Sequence, residues 1–152
     1  MNYWIFKTEP AECSIDDLLN AAEATIWEGV RNYQARNFLR AASFGDLVLI
    51  HHSSCAEVGI TGVARITETA FADPSQFDPA SPYFDSKVSL ANPRWSAVKV
   101  KGIERFNRVL SLQELRQQAE LHQMQLLRKG NRLSVMPITE DEYQLVYFLG
   151  KV

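Results

Sequence analysis

Apolar and polar positions alternate with a period of two at the N-terminus, where Asn2-Tyr-Trp-Ile-Phe-Lys7 predicts a strand. Ser14-Ile-Asp-Asp17 has the spacing of a capping box and predicts a short helix carrying Leu18 and Leu19. A brief extended piece, Thr25-Ile-Trp27, runs into Gly29. Asn32 is placed to cap a helix that puts Ala35, Phe38 and Leu39 on one face. Phe44-Gly-Asp46 reads as a turn, and Leu47–His51 as a buried strand with a polar end. Gly59–Thr69 reads as the next strand, with Gly62 a position for a bulge or close packing. Between residues 72 and 93 the periodicity breaks, and Pro74, Pro79, Pro82 and Pro93 mark a long surface excursion. Phe71, Phe77, Tyr83 and Phe84 predict that it is pinned to the body, because free linkers are poor in aromatics. Strand character returns over Trp95–Phe106. Ser111-Leu-Gln-Glu114 predicts a second capping box opening a helix, Leu133–Val135 a short strand, and Thr139-Glu-Asp-Glu142 the cap of a C-terminal helix.

Strands interrupted by short helices, with no regular β-α alternation, predict an α+β fold with a curled, barrel-like sheet and peripheral helices. With 152 residues the chain reads as one domain spanning 1–152, large enough for a proper core. No apolar run reaches the roughly 20 residues of a membrane span, and the N-terminus lacks the pattern of a signal peptide. Cys13 and Cys55 are too few for a disulfide framework, which points to a reducing compartment: cytoplasmic, or nuclear in a eukaryote. No glycine-rich phosphate loop is present, so no nucleotide cofactor is expected.

The formal charge of −2 is unevenly divided. Residues 1–93 hold 6 Lys/Arg against 12 Asp/Glu, and residues 94–152 hold 10 against 6. This reads either as charge scattered over two faces or as a basic face for a polyanion, made of Arg94, Lys99, Lys101, Arg105, Arg108, Arg128, Lys129 and Arg132. His51, His52 and Cys55 sit together, but zinc wants four ligands, and only Cys13 and His122 remain to complete a set. A strand end with one imidazole inward and one outward is the simpler reading, and no metal is expected. The carboxylate pairs lie in first turns of helices, where they offset the macrodipole.

The stretch Trp27-Glu-Gly-Val-Arg-Asn-Tyr-Gln-Ala-Arg-Asn37 combines a flat apolar face, a glycine that admits close approach, and planar polar side chains. That mixture suits holding a planar heterocycle better than breaking a bond. Trp4, Trp27 and Trp95 read either as core or as faces of an aromatic cage. Arg128, Lys129 and Arg132 around Gly130-Asn131 form a basic turn suited to a phosphate, or a solvated loop.

Taken with Tyr3–Pro10, Gly45-Asp-Leu-Val-Leu49, Asn92-Pro-Arg-Trp95 and Leu126-Leu-Arg-Lys-Gly-Asn-Arg-Leu-Ser-Val135, this stretch resembles the EVE domain family over nearly the whole chain. The resemblance implies a PUA-like fold related to the YTH readers of methylated adenine in RNA. It implies a non-catalytic module whose partner is nucleic acid carrying a modified base, modified cytosine in DNA or a modified RNA, flipped into an aromatic pocket. Carried onto this chain, Trp27 would wall that pocket, with Trp4 and Lys7 on the adjoining strand. Arg31, Asn32 and Tyr33 would form the helix-side lip, and Arg36 would lie one turn along. Ser53 would supply a polar contact, and Arg128, Asn131, Arg132 and Ser134 would close the opposite side. His51 stands where the family pattern has an aromatic. Replacing Trp27 by Ala is expected to abolish discrimination and leave thermal stability within a few degrees. The alternatives are a small-molecule sensor or an enzyme acting on a planar heterocycle in the same pocket, with Lys7 and His52 as the groups for chemistry.

Overall fold

The computed structural model describes residues 1–152. Six strands form one sheet: β1 (Tyr3–Thr8), β2 (Thr25–Trp27), β3 (Leu47–His52), β4 (Gly59–Ala72), β5 (Ser96–Leu110) and β6 (Val135–Ile138), in the spatial order β2-β5-β4-β3-β1-β6. β1 and β3 pair in parallel, aligning Lys7 with His51 and Thr8 with His52, and every other neighbour pair is antiparallel. The mixed sheet is the expected one, but it stays open instead of closing into a barrel, with β2 and β6 at its edges. Pro137, which has no N–H to give, lies on edge strand β6. Gly62 sits where the pairing of β4 with β5 shifts register, a bulge that bends the sheet.

Four helices pack on the sheet: α1 (Ile15–Asn20), α2 (Tyr33–Ala41), α3 (Leu112–Arg116) and α4 (Glu140–Lys151). Their starts follow from local chemistry. Ser14 Oγ accepts from the Asp17 N–H at 3.0 Å while the Asp17 carboxylate accepts from the Ser14 N–H at 2.9 Å. Thr139 and Glu142 make the same reciprocal pair at α4, and Asn32 Oδ1 accepts from the Ala35 N–H at α2. At α3 only half the box forms: Ser111 Oγ caps the Glu114 N–H, but the Glu114 carboxylate turns to Arg108.

Both faces of the sheet are covered. Phe6, Ile50, Ile66 and Val100 face α1 and α2, where Ile15, Leu18, Ala35 and Leu39 complete one core. Ile5, Leu49, Val63 and Phe106 face the other way, onto Leu115, Leu121, Tyr143 and Val146. Three boundaries differ from the sequence reading. β4 runs to Ala72, three residues beyond Thr69, β5 runs to Leu110, four residues beyond Phe106, and the last strand begins at Val135, not Leu133. Between α3 and β6 the chain winds through two 3-10 turns, Ala119–Leu121 and Gln125–Leu127, whose buried Leu121 and Leu126 tie them to the second core. The excursion between β4 and β5 is pinned, as its aromatics suggested.

Candidate functional site

A recess of about 570 Å³ opens where β1, β2 and β3 end. Lys7 and Thr8 close β1, Trp27 closes β2, and Ser53 follows β3. Two backbone bonds gather these ends: the Ser53 N–H donates to Thr8 O at 2.9 Å, and the Lys7 N–H donates to Ser134 O at 2.8 Å. Lys7, Trp27, Ser53 and Ser134, four of the candidate residues, therefore line one cavity. Trp27 leaves only 6% of its surface exposed and rests on Phe6, ring centroids 5.3 Å apart. It is thus both a core residue and a wall of the recess.

Two segments make the mouth. The turn between β1 and α1, with the first turn of α1, brings Glu9, Glu12, Cys13 and Asp17, and the chain after Trp27 brings Glu28, Gly29 and Val30. The opposing aromatic is Tyr83, from the excursion, which the sequence reading took only as a pin. Gly29 has φ +87°, and a side-chain carbon there would stand 2.7 Å from the Tyr83 ring. The close approach that Gly29 permits is therefore that of Tyr83 itself. Tyr83 donates its hydroxyl to Glu12 across the mouth, and burial together with that bond pushes its phenol up to about 12. The signal for Tyr83 lay in the sequence only as an aromatic among prolines.

The recess is acidic: Glu9, Glu12, Asp17 and Glu28 face Lys7 alone. Burial, then the neighbouring Asp73 carboxylate, raises the Glu28 pKa. Burial lowers that of Lys7. Burial and the Asp17 and Glu12 carboxylates push the Cys13 thiol up to about 11, so it is a neutral thiol at physiological pH. Behind the recess, His52 Nε2 accepts from the Ile15 N–H at 3.1 Å, which fixes its proton on Nδ1 and makes it part of the α1 start.

Other expected residues lie elsewhere. Trp4 does not reach the recess: it packs on Phe38, and its indole N–H donates at 2.9 Å to buried Asp46, which also accepts from the Asn2 and Ser43 N–H groups. Arg31 is a clamp behind the wall instead of a lip. It donates to Asp73 and Ser75 at 3.0 Å and twice to Tyr83 O, at 2.6 and 3.1 Å. Buried Asp73 also accepts from the Gly29 N–H at 2.9 Å and from both Ser75 donors. Gln76 fastens the same segment to the backbone of Arg94 and Trp95 through three bonds, and its side-chain amide also donates to Asp73 O. Tyr33 is exposed and stacks on Trp95 at 5.0 Å, and the Arg36 guanidinium lies 4.9 Å from the centre of its ring. Arg36 also donates to Arg94 O, so this pair fastens α2 to the excursion.

Asn32, Arg128, Asn131 and Arg132 gather around a second, shallower cavity of about 420 Å³, separate from the recess. The wider basic face is mostly internally neutralised: Arg94 pairs with Asp85, Arg105 with Asp16 and Arg108 with Glu114, while Lys101 donates to Ala21 O. Charge separation along the chain did not show which cations had partners.

The model of the EVE domain family matches residues 2–149. Thymocyte nuclear protein 1 of Gallus gallus is 37% identical, over 97% of this chain and 68% of its own length. A crystal structure of a protein from Pseudomonas putida shares 49% identity at a TM-score of 0.93, covering 97% of this chain and 98% of that one. The crystal structure of human THYN1 in complex with 5-methylcytosine-containing DNA shares 35% identity at a TM-score of 0.91, covering 100% of this chain and 99% of that one.

Proposed function

The chain belongs to the EVE domain family, and from that premise we propose that its recess receives one modified base, 5-methylcytosine in DNA, turned out of its strand and held without covalent change. The observation that carries this reading is the recess itself, an aromatic slot with acceptor groups at its mouth. Its volume falls in the range of ligand pockets, about 300–1,000 Å³. Trp27 and Tyr83 offer ring surface for stacking, worth about 1–3 kcal/mol per base. Glu9, Glu12 and Glu28 are acceptors suited to the exocyclic amino group of cytosine, and Lys7 is a donor for its ring acceptors. Val30 and the neutral Cys13 thiol leave apolar room for a methyl group.

The same features favour retention over reaction. The Cys13 thiol is held protonated, which makes it a poor nucleophile, and His52 has its free lone pair engaged by α1. The test is a binding comparison at fixed salt between duplexes identical except for one 5-methylcytosine, with the matching RNA as a further arm. Tighter binding of the methylated duplex is expected. Equal affinity for methylated and plain duplexes would overturn the proposal, and strand cleavage or base loss during incubation would overturn its non-catalytic part.

A further inference from the structure

The recess and the second cavity have opposite electrostatics. The second lies between the start of α2, which gives Asn32 and Gln34, and the Gln125–Leu133 turn, which gives Arg128, Lys129 and Arg132. No carboxylate lines it. These three cations are exposed, and none makes an ion pair or side-chain hydrogen bond within the protein, unlike Arg31, Arg36, Arg40, Arg94, Arg105 and Arg108. Asn131, half-buried, is held in place by the Met136 sulfur and the Leu133 N–H. The Asn32 carbonyl oxygen is used to cap α2, which leaves its amide N–H groups free to donate.

The two cavities adjoin along the chain at two places. Val30 lines the recess and Asn32 the second cavity; Ser134 lines the recess and Leu133 the second cavity. One or two residues span at most about 7 Å, so a single nucleotide unit can reach from one to the other. The recess, with four carboxylates against one lysine, repels phosphate and selects hydrogen-bond donors. A nucleotide entering it base first must therefore place its phosphates elsewhere.

We propose that the Arg128–Lys129–Arg132 cavity is the seat for the backbone phosphates of the strand whose base enters the recess. This rests on the base-reading proposed above and adds where the backbone is gripped. The division of labour is physical: the acidic recess reads the base edge, and the unpartnered cations supply affinity that does not depend on sequence.

The experiment measures affinity for a methylated duplex and its unmethylated twin across 50–200 mM KCl. The variant is Arg128→Gln/Lys129→Gln/Arg132→Gln, whose exposed positions leave the fold intact, checked by an unchanged melting temperature. Each lost phosphate contact lowers the slope of log affinity against log salt by about 0.9, so three contacts make the wild type lose about 40-fold more affinity over that range than the variant. The variant should bind both duplexes more weakly by the same factor, with the methylated-to-plain ratio preserved. A control removing equal charge elsewhere, Lys87→Gln/Lys99→Gln/Arg116→Gln, should keep the wild-type slope. An unchanged slope in the first variant, or an equal drop in the control, overturns the phosphate seat. A slope that falls as expected in a protein with no methyl preference sinks the base-reading and leaves the seat standing. Absence of binding to any oligonucleotide at 50 mM sinks both.

Discussion

His51 is 2% exposed, and neither ring nitrogen has a hydrogen-bond partner. Burial, then the adjacent Lys7 and His52, holds its pKa down at about 4. Its ordinary value is about 6.5, so between pH 6.5 and 4 the unfolded chain binds a proton at this residue that the folded chain refuses. Stability is therefore lost as pH falls through that window, by on the order of 3 kcal/mol at about 1.4 kcal/mol per unit. His51→Leu should remove this loss and hold or raise stability at pH 7, because a buried polar group without a partner costs about 1–3 kcal/mol. Denaturant melts at pH 7 and pH 4.5 check it; an undiminished pH dependence in the variant would mean that the loss comes from other groups. Trp4 and Trp27 make a second contrast. Trp27→Ala removes a core ring, costing about 3–5 kcal/mol and on the order of 10 °C, so the expectation of a few degrees does not survive its burial. Trp27→Phe and Trp4→Phe are the cleaner pair. The first should lower the preference for methylated DNA. The second should destabilise by leaving Asp46 one donor short while the preference holds. A larger loss of preference from Trp4→Phe would reassign the two rings.

At the level of elements, the wall of the recess depends on one buried carboxylate. Asp73 holds the Gly29 N–H, Arg31 and Ser75, and Arg31 in turn holds the backbone of Tyr83. Asp73→Asn keeps the shape but leaves the Arg31 guanidinium without its counter-charge. Removing one partner of a buried pair costs about 3–5 kcal/mol, and because the Arg31 side chain is 22% exposed the smaller figure of about 2 kcal/mol is expected. Proteolysis within residues 78–90 should quicken, and the methyl preference should fall as Tyr83 loses its anchor; unchanged cleavage would show that Gln76 alone holds the segment. This clasp also marks how far the sequence could be read. Ser14, Asn32 and Thr139 announced their helices because a cap and its partner stand three residues apart. The parallel pairing of β1 with β3 joins residues 44 positions apart and leaves no local signature. Trp4 and Trp27 both sit in aromatic strands, and only the packed structure tells the one on Asp46 from the one beside the recess. Asp46 read as a turn residue, Arg31 as part of the pocket's lip, and Tyr83 as one more aromatic in a proline-rich excursion. Each acquired its role from a partner far along the chain.

Across the whole molecule, the two cores line opposite faces of the same strands. Ile5 and Phe6 are consecutive in β1, as are Leu49 and Ile50 in β3, and each pair sends one side chain to either core. With a side-chain period of two, a strand cannot leave one core and remain in the other. The sheet therefore couples the cores, and the chain should unfold in one step. The aromatic residues allow this to be measured. Trp4 and Trp27 belong to the α1–α2 core and Trp95 stacks on Tyr33 of α2, so tryptophan fluorescence reports that side. Phe106 lies in the opposite core, 4% exposed and packed edge-on against Tyr147 of α4. Phe106→Ala should cost about 3–5 kcal/mol, on the order of 10 °C. Because that cost falls on the shared sheet, the tryptophan transition should move as far as the far-ultraviolet circular dichroism transition, although no tryptophan touches the mutated core. A fluorescence midpoint that stays in place while the dichroism midpoint falls would show that the α3–α4 side opens on its own, and that the recess can stay formed without it.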